Sequence, residues 1–101
     1  MTNRMKVEFD SISANEAFAR VTVAAFLARL NPSVEEVADV KTAVSEAVTN
    51  AIIHGYQGEV HTITIEGELE GDLLTLRVRD EGVGIADIGQ ARSEERRVGK
   101  E

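Results

Sequence analysis

A chain of 101 residues with 43% hydrophobic residues fits one small globular domain and excludes two. The absence of cysteine rules out a disulfide framework or a thiolate metal site. No apolar run approaches the ~18 residues of a membrane span, none follows Arg4 and Lys6 as in a signal peptide, and the net charge of -7 is spread through the body. Nucleic acid and membrane are therefore not expected as direct partners, and the cytoplasm is the expected compartment.

Met5, Val7 and Phe9 alternate with Lys6 and Glu8, the period of a half-buried first strand. Ser13 with Glu16 three residues on has the form of a capping box, so a helix is expected from there to about Leu30. It is apolar on two sides: Phe18, Val21 and Ala25 form one stripe, and Val23, Phe26, Leu27 and Leu30 form a second. Two stripes fit either a helix sunk in a small core or one whose second stripe meets another chain.

Asn31-Pro32-Ser33 breaks the chain, and Ser33 with Glu36 forms a second capping box. The helix it opens carries Val37, Val40, Val44, Ala47, Val48, Ala51 and Ile52 at three-and-four spacing and is expected to stop at Gly55. Alternation from His61 to Leu69 and from Leu73 to Asp80, across Glu70-Gly71-Asp72, predicts a β-hairpin. After Ile88 no apolar periodicity remains.

Two places carry chemistry. Glu46 and Asn50, four residues apart, lie on one face of the second helix, well round from its valine stripe and among the small Thr42, Ala43 and Thr49. Such a pair also occurs on plain solvated helices. Asp80 falls on the same side of its strand as Leu74, Leu76 and Val78, so a carboxylate points at the core layer. It either opens the turn at Gly82 or forms the floor of a pocket that Gly82 and Gly84 open to a ligand.

Taken together, Glu46-Ala47-Val48-Thr49-Asn50-Ala51-Ile52-Ile53-His54-Gly55-Tyr56 and Asp80-Glu81-Gly82-Val83-Gly84-Ile85 resemble the N box and first glycine box of the GHKL ATPases. Phe18-Ala19-Arg20-Val21-Thr22-Val23-Ala24-Ala25-Phe26 and the form of the N box are further similar to the sporulation anti-sigma F factors, which are also serine kinases. The resemblance implies a two-layer α/β sandwich of the GHKL (Bergerat) ATP-binding fold, with helices on one face of a mixed sheet. It implies ATP or ADP with Mg²⁺ as cofactors. Asn50 then ligates the metal among the phosphates, Glu46 is the base toward a serine hydroxyl, and Asp80 accepts from the adenine amino group. Gly82 and Gly84 shape a lid hinge and Ile85 walls the base. Arg20 and the first helix fall where this family forms homodimers and docks a sigma factor and an anti-anti-sigma substrate. His54, in the last helical turn, is read as a partner of the helix C-terminus. The other readings are the catalytic domain of a sensor histidine kinase, which the strand and helix directly before the N box disfavour, and a non-catalytic partner-binding module.

The likeness covers residues 1–91, which are expected to form a partial domain lacking the lid, the second glycine box and the closing strands. Residues 92–101 are charged, carry no helical stripe and are expected to be a non-native or disordered tail, with the nucleotide site incomplete at that end.

Overall fold

The computed structural model describes residues 2–54, 59–80 and 84–92, the last stretch as backbone only. Strand β1 (Thr2–Asp10) leads into helix α1 (Ala14–Leu27), one 3₁₀ turn (Ala28–Leu30) and helix α2 (Val34–His54). Strands β2 (Thr62–Glu70), β3 (Leu73–Asp80) and β4 (Gly84–Arg92) follow, and the four strands lie side by side in the order β1-β2-β3-β4. The two helices pack on one face of this sheet, which gives the two-layer sandwich. Where a mixed sheet is expected, all three described pairings are antiparallel. The α1–α2 pair carries the chain out and back, so β2 returns against β1, and the later strands are joined by short connections. Among the described residues, no helix is long and apolar enough to cross a membrane.

The capping expectations divide. At α2 the box forms in full: the Ser33 backbone N–H donates to Glu36 Oε1 at 2.8 Å and the Glu36 N–H donates to Ser33 Oγ at 3.1 Å. At α1 it does not, because Ser13 sits in helical geometry (φ -62°, ψ -26°) and its side chain makes no cap bond. An N-cap side chain reaches the first turn from an extended backbone, which Ser13 lacks. The entry is closed instead by Asn15 Nδ2 donating to the Asp10 carbonyl at 2.9 Å. Between the helices, Asn31 takes the left-handed conformation (φ 53°) that asparagine tolerates among non-glycine residues.

The core joins Ala19, Val23 and Leu27 of α1, Val40, Val44, Val48 and Ala51 of α2, and the inward-facing Ile63, Ile65, Leu69, Leu74, Leu76 and Val78. Thus the second stripe of α1 packs inward, with Phe26 and Leu30 against the core. The first stripe turns outward, Phe18 being 49% and Val21 64% exposed. Phe18 meets β1 only at its rim, edge-on to Phe9 at a centroid distance of 6.0 Å.

The β2–β3 hairpin turns at Gly71, whose φ of 63° suits the first loop position of a two-residue hairpin. Strand β4 was not foreshadowed by periodicity. Its register slips between Leu76 and Arg77, leaving Ile88 without an opposite residue, and such a bulge breaks the alternation by which a strand is recognised. Gly55, Gly82 and residues 93–101 lie outside the described residues.

Gly67 faces inward on β2, where an added Cβ would meet Phe26 at 3.0 Å, Leu76 at 3.2 Å and Met5 at 3.3 Å. It is the recess into which the Phe26 ring of α1 settles. Gly67→Val should lower unfolding stability by about 1–3 kcal/mol through overpacking. Urea denaturation checks this, and an unchanged midpoint would mean that Phe26 does not seat there.

Candidate functional site

The valine stripe of α2 fixes the rotation of the helix, and its polar edge follows. Glu46 and Asn50 are both exposed on that edge. With Ser45 and Thr49 they line an open groove of about 460 Å³. A second groove of about 340 Å³ adjoins it and is lined by Arg20, Ala38, Lys41, Thr42, Ser45 and Glu46. Arg20, expected as a partner contact, is thereby brought beside the residues of the N box.

The link between the two helices is Glu16. Its Oε2 accepts the Ser45 hydroxyl from α2 and stands 2.9 Å from Arg20 Nε, one helical turn along α1. The carboxylate expected to cap α1 is thus engaged across the helix pair, with Ser45, which lines both grooves. Nothing in the local spacing of α1 signals this contact, whose partners are 29 residues apart.

Asp80 is the inward-facing acid that the alternation of β3 predicts, and it is the last residue of that strand. Its Oδ1 lies 3.3 Å from His61 Nε2, with the two side chains only 5% and 3% exposed. On the other side of the imidazole, Ser11 Oγ lies 3.0 Å from Nδ1. Ser11 Oγ also accepts the His61 backbone N–H at 2.9 Å, and the Ser11 N–H donates to the His61 carbonyl at 2.8 Å. Neither His61 nor Ser11 is among the site residues that the sequence motifs indicate. A signal existed for His61, which shares the inward parity of Ile63 and Ile65 just before β2 begins.

The register sets Gly84 opposite Asp80 and Ile85 opposite Arg79. Gly82 and the side chains of Ile85 and His54 lie outside the described residues. Glu46 and Asn50 share one groove, whereas Asp80 sits in the layer between helices and sheet, on the side of the sheet that carries α2.

These donors suit a phosphate-bridged hard cation better than an all-protein cage. Among the described residues, no group of three or more His, Cys, Asp or Glu side chains converges to hold a metal. An exposed amide oxygen at Asn50 supplies one neutral hard ligand and leaves the remaining positions to water and phosphate, as magnesium favours. A buried carboxylate, unable to donate while ionised, suits an exocyclic amino group.

Residues 11–100 match the histidine kinase-like ATPase domain. The anti-sigma F factor of Thermoanaerobacter sp. (strain X514) is 53% identical over 105 residues, covering 97% of this chain and 73% of that one. Those of Shouchella clausii (strain KSM-K16) and Bacillus cereus (strain G9842) are each 54% identical over 93 residues, covering 91% of this chain. The latter alignments span 64% of those proteins, so the chain corresponds to about two thirds of their length.

The bridge through Glu16 makes a measurable claim. Ser45→Ala should cost about 1 kcal/mol of stability, and much less when Glu16→Ala is already present. A double-mutant cycle by urea denaturation reads the coupling, and strictly additive losses would contradict it.

Proposed function

The chain belongs to the histidine kinase-like ATPase family and, within it, to the anti-sigma F factors, and on that premise we propose that it is the nucleotide-binding part of a protein serine kinase that captures a sigma factor. It phosphorylates a serine of the anti-anti-sigma protein that opposes this capture, and works in the cytoplasm as a homodimer. The observation that carries the reading is the pairing of an exposed Glu46–Asn50 groove on α2 with a buried acid at the end of β3. The name carried by the relatives favours this reading over a sensor histidine kinase.

In this proposal Asp80 accepts from the adenine amino group, and Asn50 holds Mg²⁺ at the triphosphate through its amide oxygen. The bound ion supplies charge neutralisation on the phosphate oxygens. Glu46 takes the proton of the substrate serine as its oxygen bonds to the γ-phosphorus. The bond from that phosphorus to the bridging oxygen breaks, and ADP leaves. Gly82, Gly84 and Ile85 belong to the hinge and wall of the base pocket. Arg20, which lines the adjoining groove together with Glu46, is proposed as a contact for the docked protein whose serine meets that carboxylate.

In the full-length protein, Asn50→Ala should weaken Mg²⁺-ATP binding by about tenfold or more while moving stability by no more than about 0.5 kcal/mol, since the side chain is exposed. Calorimetry with thermal melting reads both quantities. Normal affinity in the folded variant would remove Asn50 as a ligand.

Glu46→Gln keeps the shape and removes the proton acceptor. Single-turnover serine phosphorylation should fall by about 10²–10⁴-fold, with nucleotide affinity little changed. A phosphorylation rate equal to that of the parent protein would exclude Glu46 as the base.

A further inference from the structure

Ser11, His61 and Asp80 come from the end of β1, the start of β2 and the end of β3, and all three are more than nine-tenths buried. Polar side chains in so small an interior are costly unless they find partners, and these three lie within reach of one another, Ser11 Oγ 3.0 Å from His61 Nδ1 and Asp80 Oδ1 3.3 Å from His61 Nε2. We propose that His61 is a positioning residue for nucleotide-base recognition: its Nε2–H holds the Asp80 carboxylate in one orientation as an acceptor, and Ser11 holds the imidazole. The proposal rests on the reading of Asp80 as the group that recognises adenine.

The hydrogen on Nε2 follows from the partners. A carboxylate that serves as the acceptor takes its hydrogen from the neighbouring group, so the proposal places that hydrogen on the ring nitrogen, which stands 3.3 Å from Asp80 Oδ1. On the far side, Nδ1 faces Ser11 Oγ at 3.0 Å and the Glu59 carbonyl at 3.3 Å. Ser11 Oγ already accepts the His61 backbone N–H, which leaves its hydroxyl hydrogen available for Nδ1 in the neutral ring. In the charged ring, Nδ1–H donates toward the Glu59 carbonyl instead. Both states keep Nε2–H toward Asp80. The remaining neutral tautomer, protonated on Nδ1, would set two lone pairs against each other across 3.3 Å in a buried site.

An acceptor held in one orientation also discriminates. The adenine amino group donates, whereas the corresponding position of guanine is a carbonyl that accepts, and a fixed carboxylate offers the latter no hydrogen. A carboxylate released from His61 can rotate, and its acceptor is then no longer aimed at one position of the base. Removing His61 should therefore erode selectivity for ATP over GTP along with affinity. A purely structural core pair would leave that selectivity unchanged.

The test uses the full-length protein. Long-range ¹H–¹⁵N correlation of the imidazoles should show His61 Nε2 protonated near neutral pH, and a neutral Nδ1–H tautomer would overturn the proposal. Competition against a fluorescent ATP analogue gives ATP and GTP affinities for a set of variants. His61→Leu should lower both ATP affinity and the ATP/GTP ratio by about tenfold or more, the size of loss usual when the outer partner of a binding group is removed. His61→Gln, whose amide N–H reaches the position of Nε2, should restore both, and it serves if the leucine variant fails to fold. Asp80→Asn separates the two readings. If it abolishes selectivity while His61→Leu and His61→Gln both match the parent, the positioning role fails alone. If Asp80→Asn itself leaves affinity and selectivity intact, base recognition by Asp80 fails, and the positioning role fails with it.

Discussion

Helix α2 lays Val40, Val44 and Val48 against the inward face of the sheet, all three at 1% exposure or less. With 3.6 residues per turn, burying that stripe leaves no freedom in where the rest of the helix points. Glu46 and Asn50 are carried to the exposed edge, side by side, and Ser45 is turned toward α1, where Glu16 meets it. Asp80, the last residue of β3, is buried on the same face of the sheet beside His61. A site built this way inherits its geometry from the core and needs little ordering of its own.

The two faces of the sheet divide the labour. The outer face carries Arg4 opposite Glu68, and Lys6 and Arg77 on either side of Glu66, with Arg79 reaching Glu66 at 3.2 Å. Opposite charges set across neighbouring strands make a solvated surface that favours this register, although exposed pairs of this kind contribute little to stability. The inner face holds the apolar core and, at one end, the Ser11–His61–Asp80 group. Chemistry is concentrated where the sheet meets the helices. Outside that junction, the exposed Phe18 and Val21 of α1 form an apolar strip beside the β1 edge, where the proposed homodimer has surface to bury.

Local features were legible in the sequence because their causes are local. The Ser33–Glu36 box closes within one turn, the valines of α2 repeat at helical spacing, and the hairpin follows from alternation around Gly71. The inward aim of Asp80 needed only its parity with Val78 and Leu76. What local pattern does not carry depends on distant partners. Glu16 has the spacing of a capping residue and is instead drawn across to Ser45, and Ser11 acquires its role only when β1 and β2 pair and bring His61 to it. Which stripe of α1 packs inward is equally undecided by pattern, since both are apolar, and in the fold the side bearing Phe26 faces Gly67. Motif resemblance supplies the proposed roles of Glu46, Asn50 and Asp80, whereas residue pattern alone leaves the pair open between a solvated face and a site, and Asp80 open between a turn and a pocket floor.

The central claim is that a nucleotide sits between the polar edge of α2 and the end of β3, on the helix-covered side of the sheet. Backbone ¹H–¹⁵N spectra of the full-length protein, titrated with Mg²⁺-ATP, test it most directly. The account predicts perturbations concentrated on Ser45 to Asn50 and around His61 and Asp80, with Arg4, Glu68 and Arg77 on the outer face unmoved. Perturbations confined to that outer face, with the α2 edge and Asp80 silent at saturating nucleotide, would contradict it.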